Sequence, residues 1–195
     1  MASKLLGAHV KRKEDPRLIT GSSQYVADIA MPGMQHVAFV RSPHAHARVR
    51  GIKTSAALGH PGVVAVVTGQ DLKPHCAPIP SATASAEGGA AGEVKLGRQH
   101  YPLSVDRVRY VGEPVAAVIG TSAEAAADAA ALVEVDWEPL PAVADAFAAM
   151  AKGAPQLFDD ASGNIEHTNT IKAGDPDAAF QAAHKIVKQR MNSQR

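Results

Sequence analysis

The sequence predicts an α/β (α+β) fold in which a mixed sheet and short helices pack on one core. Three observations predict it. Residues 115–119 are a short apolar run bounded by turn residues, residues 125–133 are rich in alanine, and residues 133–138 alternate apolar with acidic side chains. Strand, helix and strand therefore follow one another without a gap, and each should pack against the next.

The helix in this unit should begin at a threonine. Thr121 is the predicted N-cap, and Glu124 three residues later can complete a capping box. Glu124 and Asp128 lie four apart on one polar stripe, so the alanine face of the helix can approach a sheet closely. The strand before it, at residues 115–119, is apolar throughout and should be buried on both faces.

The last strand of the unit should be half-buried, because its two faces differ in polarity. The apolar face carries Val133, Val135 and Trp137, with Trp137 as the principal anchor in the core. The opposite face carries Glu134, Asp136 and Glu138 and should face water, until Pro139 and Pro141 end the strand.

The first half of the chain predicts further strands and one short helix. Residues 35–41 and 47–52 should form a hairpin closed by the loop 42–46. A short helix at 54–58 should end at a glycine, and a β-branched run at 63–67 suits an interior strand. Residues 1–34 are rich in turn residues and predict an irregular arm.

The second half predicts a long connection followed by scattered short elements. Residues 73–103 contain Pro74, Pro78 and Pro80 and a run of small residues at 81–92, which predicts a long loop. Asp175 should cap a helix at 178–183, with Pro176 in its first turn. The remaining predictions are a helix at 143–150, a weak strand at 169–172 and a final strand at 185–190.

Composition excludes several classes of function. The net charge is +1, and the densest basic cluster, residues 11–13, is followed at once by Glu14 and Asp15, so nucleic-acid binding is not expected. Cys76 is the single cysteine, which excludes an internal disulfide and suits a reducing, cytoplasmic compartment. No apolar run is long enough for a membrane span, so no membrane association is expected.

Five blocks in order point to one family. They are Thr20-Gly21 with Tyr25, Asp28 and Pro32-Gly33, then residues 39–49, 60–72, 110–141 and 173–190. Together they resemble the a/b hammerhead domain at the start of the molybdopterin-binding large subunit of the molybdenum hydroxylases. Carbon monoxide dehydrogenase, aldehyde oxidase and xanthine dehydrogenase belong to this family.

The resemblance implies a structural part of an oxidoreductase that hydroxylates a substrate with oxygen from water. It implies an arm at 1–18, the hammerhead domain at 19–155, and at 156–195 a linker with the start of the molybdopterin-binding region. The glutamine facing the metal, the pterin loops and the catalytic glutamate of the family lie downstream, so no catalytic, cofactor-binding or metal-binding residue is assigned here. At 195 residues the chain is expected to be a fragment or one piece of a split subunit.

The resemblance also implies the cofactors and partners of the complete enzyme. The molybdenum–molybdopterin cofactor should sit in the remainder of the large subunit, and iron–sulfur clusters and FAD in partner chains. The chain itself should bind none of them. The substrate stays open among carbon monoxide, aldehydes, purines and other N-heterocycles.

One segment is expected to border the substrate channel. In the family, the connection after the Asp-Leu turn lies at the substrate funnel, which places Cys76, Ala77, Pro78 and Ile79 at its border. Disorder of residues 81–92 is an equally open reading, since a run of small polar residues buries too little surface to offset the entropy of ordering.

Two other functions remain as alternatives. The first is a free-standing interaction module with this fold and no redox role, which would not co-purify with a molybdopterin-containing chain. The second is a small metallohydrolase built on His44 and His46, which lack a third ligand at suitable spacing. His75 beside Cys76 is not expected to form a catalytic pair, because two residues adjacent in sequence cannot easily both face one substrate atom. Glu113 is explained most simply by a turn, and the glycines at 88, 89, 92 and 97 do not form a phosphate loop.

Overall fold

The structure, a computed structural model, describes residues 7–8, 10–79, 100–159, 161, 163–165, 168, 171 and 173–191. The chain divides into two compact units. The first comprises Met1–Ala77 and Tyr101–Pro139, and the second comprises Pro78–His100 and Leu140–Arg195. The first unit contains all the described strands.

Six strands form two small antiparallel sheets. They are β1 (His36–Arg41), β2 (Ala47–Lys53), β3 (Val63–Thr68), β4 (Arg107–Val108), β5 (Pro114–Gly120) and β6 (Glu134–Pro139). One sheet has the order β1-β5-β3 and the other β4-β2-β6. The predicted α/β class is confirmed, with the strands shared between two antiparallel sheets instead of one mixed sheet.

The helices are short. In the first unit they are α1 (Asp15–Ile19), α2 (Ser55–Leu58), α3 (Gly69–Leu72) and α4 (Ala123–Ala131); in the second they are α5 (Ala146–Ala149) and α6 (Pro176–Ala182). Single 3-10 turns occur at Val26–Asp28 and Lys73–His75. The arm predicted to be irregular therefore contains α1 and one 3-10 turn, because Pro16 at the start of α1 and Asp15 in its first turn favour a helix there.

Strand β5 is the central strand of its sheet, as its apolar sequence predicts. It pairs with β1 on one side and β3 on the other. Val115, Ala116 and Val118 are fully buried. Helix α4 lies against β1 and β5, and a β-carbon added to Gly120 would stand 2.9 Å from the backbone nitrogen of Ala126. The small residues of β5 and α4 therefore allow the helix to approach the sheet closely.

The N-cap of α4 is Ser122, and the prediction of Thr121 was wrong. The Ser122 hydroxyl accepts a hydrogen bond from the backbone of Ala125 at 3.1 Å. Thr121 is instead hydrogen-bonded at the end of the sheet, where its backbone N–H donates to the carbonyl of Gly62 at 2.8 Å. Hydrogen bonds from its own backbone and from Ser122 hold the pKa of Glu124 below its ordinary value.

Two strand predictions were wrong in their placement. Strands β1 and β2 do not form a hairpin, since they belong to different sheets. The chain leaves the first sheet at Ser42, whose hydroxyl donates to the carbonyl of His44 at 2.9 Å and so closes a turn. Among the described strands, β3 pairs with β5 alone, so it lies at the edge of the sheet and not in its interior.

The core of the first unit consists of two adjoining clusters. The first, centred on Ala47, Val108 and Val115, contains residues from both sheets. The second, centred on Ala57, Val118 and Ala129, joins the β1-β5-β3 sheet to α2 and α4. Val40 packs against both clusters, so it connects the contact between sheets to the contact between sheet and helix.

The predicted alternation of β6 is confirmed for its apolar face, where Val135 and Trp137 pack on the first cluster. Trp137 is only partly buried, and the ring of His44 contacts it edge-on at 5.7 Å between centroids. On the polar face, Glu134 pairs with Lys53 at 3.0 Å. Glu138 on the same face forms an ion pair with Arg50, and its side chain is 41% exposed, so it faces water in part.

The second unit contains α5 and α6, each capped by an aspartate. The predicted cap of α6 is confirmed: the Asp175 carboxylate accepts from Ala178 at 3.1 Å, and Pro176 is the first helical residue. Residues 185–190 were predicted as a strand; they have no strand assignment and are exposed, because no described segment supplies a pairing partner. Most of the strand predicted at 169–172 lies outside the described residues.

Within the described residues, none of the helices has the length and apolar character needed to cross a membrane.

We expect Val118→Ala to destabilise the protein by about 2 kcal/mol, because it removes buried methyl groups and leaves a cavity in the second cluster. Val64→Ala is the matched control, since Val64 is 49% exposed on β3. Its cost should stay below about 1 kcal/mol. Urea titrations of both variants measure the difference; equal losses would contradict this packing.

Candidate functional site

The segment expected to border a substrate channel comes after α3 and a single 3-10 turn. Thr68 caps this helix: its backbone N–H donates to the carboxylate of Asp71 at 2.9 Å, and its hydroxyl donates to the same oxygen at 2.7 Å. The hydroxyl bond is the larger of the two causes that hold the pKa of Asp71 below its ordinary value. The cap thus fixes the direction in which the chain enters the 3-10 turn Lys73–His75.

The four border residues follow that turn in an extended stretch. Cys76 and Pro78 are partly buried, whereas Ala77 and Ile79 are exposed, Ile79 to 47%. Within the second unit, Ile79 donates its backbone N–H to the carbonyl of His100 at 2.7 Å. Residues 80–99, which include the predicted loop core at 81–92 and the glycines at 88, 89, 92 and 97, lie outside the described residues.

In the first unit, the two ends of the long connection also meet. The ammonium group of Lys73 stands over the ring of Tyr101, 5.9 Å from its centroid. Leu103 and Ser104, which follow Tyr101, are buried to 3% and 5% exposure. The returning end of the connection is therefore anchored in the core, while the outgoing end near Lys73 stays at the surface.

A buried polar junction lies between β4 and β5. Its centre is Glu113, which is only 2% exposed. One carboxylate oxygen of Glu113 accepts a hydrogen bond from the backbone N–H of Arg109 at 2.5 Å. A buried carboxylate requires such donors, because an uncompensated buried charge is costly. Glu113 thereby ties the end of β4 to the start of β5.

Two serines extend this junction. The backbone of Ser42 donates to the carbonyl of Glu113 at 2.9 Å, and Gly112 donates to the carbonyl of Ser42 at 2.8 Å. The hydroxyl of Ser104 donates to the carbonyl of Arg107 at 2.5 Å. The junction thus joins the end of β1, the turn before β5 and the loop before β4.

Tyr110 lies at the rim of the junction. Partial burial raises the pKa of Tyr110 above its ordinary value, and the negative charge of Glu113 raises it further, against the opposing effect of Arg41. The Arg41 guanidinium also donates to the carbonyl of Gly112 at 2.9 Å. The rim therefore carries a guanidinium group and a phenol beside the buried Glu113 side chain.

The sequence interpretation of Glu113 was incomplete. Glu113 does lie in a turn, with Gly112 at a φ of +89°. Its side chain, however, is a buried structural centre. The available signal was a carboxylate placed between a glycine and a proline, directly before an all-apolar strand.

The histidine pairs considered as metal ligands do not form a metal cluster here. His44 contacts Trp137, His46 is buried, and His75 is exposed beside Cys76. Within the part of the chain that the structure describes, no three His, Cys, Asp or Glu side chains are grouped so that they could hold a metal ion.

Comparison with known proteins identifies the family. Residues 20–141 match the family described as "Aldehyde oxidase and xanthine dehydrogenase, a/b hammerhead domain". The match covers more than half of the chain, and the chain belongs to this family.

Individual relatives agree with that assignment. The chain is 41% identical to the nicotine 6-hydroxylase large subunit of Paenarthrobacter nicotinovorans, covering 94% of this chain and 21% of that protein. It is 40% identical to the carbon monoxide dehydrogenase large chain of Afipia carboxidovorans, covering 96% of this chain and 24% of that one.

Among solved structures, the chain is similar to a Cu,Mo-CO dehydrogenase in its carbon monoxide reduced state. The TM-score is 0.71 at 39% identity, covering 91% of this chain and 22% of that chain. The chain thus spans about a fifth to a quarter of the length of the relatives that it matches.

We expect Glu113→Ala to destabilise the protein by about 1 to 3 kcal/mol, because it empties the buried site of the Glu113 side chain and the partly buried N–H of Arg109 loses its acceptor. Glu134→Ala is the control: Glu134 pairs with Lys53 on a surface where its side chain is 73% exposed. This control should cost at most about 1 kcal/mol.

Glu113→Gln separates the hydrogen bond from the charge, since its amide oxygen can still accept from Arg109. It should recover part of the stability lost in Glu113→Ala. Denaturant unfolding of the three variants provides the measurement. If Glu113→Ala proves no more harmful than Glu134→Ala, Glu113 is not the centre of the junction.

Proposed function

We propose that this chain is the hammerhead module of the large subunit of a molybdenum hydroxylase, an oxidoreductase that hydroxylates its substrate with oxygen derived from water. The observation that carries the proposal is the family match over residues 20–141. Similarity to two large subunits extends it over nearly the whole chain. No observation favours a free-standing interaction module over this function.

The proposal assigns the cofactors of the enzyme to parts other than this chain. The molybdenum–molybdopterin cofactor, which supplies the oxidative chemistry when bound, is assigned to the remainder of the large subunit. Iron–sulfur clusters and FAD are assigned to partner chains, as the family resemblance implies.

Within the chain, we assign residues 1–18 to an arm, 19–155 to the hammerhead domain, and 156–195 to a linker and the start of the molybdopterin-binding region. The single cysteine supports a cytoplasmic location for the module.

The proposed role of this module is to shape the route by which substrate reaches the metal. Cys76, Ala77, Pro78 and Ile79 are proposed to border that route. Their placement supports this role: they follow a capped helix, their backbone is tied at Ile79 to His100, and Ile79 presents an exposed apolar side chain. Such a side chain can restrict the size of a passing substrate without taking part in the chemistry.

Assembly tests the proposed function. The chain should be co-expressed with a molybdopterin-binding polypeptide that completes the large subunit and with the flavin and iron–sulfur subunits. We expect a stoichiometric complex in gel filtration that reduces an electron-acceptor dye with carbon monoxide, an aldehyde, a purine or another N-heterocycle. The same set of chains without this one is the control and should be inactive. A chain that stays a monodisperse monomer beside these partners would instead support the interaction module.

The border segment is tested in the assembled enzyme with Ile79→Trp. Added bulk at the channel should raise KM for the larger of two substrates by about tenfold and change kcat little, because access and not chemistry is obstructed. Leu132→Trp is the control, since Leu132 is similarly exposed, 43% against 47%, and follows α4. Equal effects of the two substitutions, or a loss confined to kcat, would remove Ile79 from the channel.

A further inference from the structure

The first residue of α3 makes an unusually close contact with the loop before β4. A β-carbon on Gly69 would stand 2.2 Å from the carbonyl oxygen of Ser104, 2.7 Å from its carbonyl carbon and 3.0 Å from the carbonyl oxygen of Leu103. All three are backbone atoms, so no side-chain rotation can relieve the overlap. The φ of Gly69 lies outside the left-handed region, so space, and not backbone conformation, requires glycine here.

Ser104 is held firmly on its own side of this contact. Its backbone N–H donates to the carbonyl of Pro114 at 2.8 Å, and its hydroxyl donates to the carbonyl of Arg107 at 2.5 Å. Ser104 is 5% exposed and the preceding Leu103 is 3% exposed. Movement of Ser104 would therefore break two hydrogen bonds and disturb the buried junction.

Helix α3, on the other side of the contact, is held by fewer interactions than Ser104. Apart from Gly69 its residues are exposed or partly exposed, and the following turn Lys73–His75 is exposed throughout. Its described hydrogen bonds to side chains are those of the Thr68 and Asp71 cap. If the contact is disturbed, the displacement should pass into α3 and along the turn to Cys76.

We propose that the contact between Gly69 and Ser104 positions Cys76 and Ala77, the first two residues of the channel border, which makes Gly69 a positioning residue for that border. That these residues border a substrate channel rests on the proposed function. The contact between Gly69 and Ser104 does not, because its distances are observed within the first unit. The position of the border therefore depends on the contact between α3 and the loop before β4. Gly69, which makes this contact, lies seven residues before Cys76 in the sequence.

The single thiol of Cys76 reports on this contact directly. In the intact chain under native conditions, Gly69→Ala should raise the rate at which Cys76 reacts with a chromogenic disulfide reagent by about tenfold, because a local opening becomes more populated. Gly51→Ala is the control, since its added β-carbon would meet no atom within 4 Å. The faster reaction should depend little on low concentrations of urea, which separates local opening from global unfolding.

A second variant weakens the contact between Gly69 and Ser104 by a change at Ser104 that adds no atom. Ser104→Ala removes the hydrogen bond to Arg107 and should also accelerate the reaction of Cys76. Ser22→Ala, at an exposed serine, is its control. If Gly69→Ala does not fold, Ser104→Ala decides the question. Reaction rates within about twofold of the unsubstituted chain in every folded variant would overturn the proposal, because such a change reflects no opening of the segment.

Kinetics of the assembled enzyme separate this inference from the proposed function. Gly69→Ala should raise KM in the same direction as Ile79→Trp, with kcat little changed. If Cys76 reacts faster while neither variant alters KM, the positioning contact is supported and the channel assignment fails. If Cys76 is unaffected by Gly69→Ala and Ser104→Ala, the positioning contact fails whatever the kinetics of Ile79→Trp.

Discussion

The burial of the Glu113 carboxylate is the constraint on which the first unit depends. A carboxyl group at 2% exposure is tolerated only where hydrogen-bond partners are in place, and the backbone N–H of Arg109 is one of them. To supply it, the chain must turn back on itself between β4 and β5. The backbone carbonyl of Glu113 also accepts a hydrogen bond from the backbone N–H of Ser42 at the end of β1, so this one residue contacts the ends of three strands through its side chain and its backbone.

The packing of the two sheets on each other depends on β5 as much as on this turn. β5 carries Val115 into the cluster between the sheets and Val118 into the cluster under α4, and Val40 of β1 packs against both. With aromatic residues at only 4% of the chain, these contacts rely on close backbone approach more than on large side chains. Ala126 and Ala129 of α4, both buried, contribute to the same close packing.

Elements with a strong local signal could be predicted from sequence, and the contacts between them could not. The apolar run of β5, the alternation of β6 and the aspartate cap of α6 all follow from the order of residues in a short window. The hairpin prediction failed because adjacency in sequence says nothing of which sheet a strand joins. The cap at Thr121 failed because Gly62, distant in sequence, already binds that residue. The structural role of Glu113 was missed because the burial of its side chain is a property of the tertiary structure.

The glycines illustrate the same division at single positions. Gly62 and Gly112 have positive φ values, which turn chemistry makes predictable from sequence. Gly69 and Gly120 are needed for a different reason, since a β-carbon at either position would overlap backbone atoms of a neighbouring segment. Gly120 lets α4 reach the sheet, and Gly69 lets α3 reach the loop before β4. At both positions a glycine lets the backbone of one segment pack directly on the backbone of another, so these contacts, like those of the buried junction, arise from the tertiary structure and carry no local sequence signal.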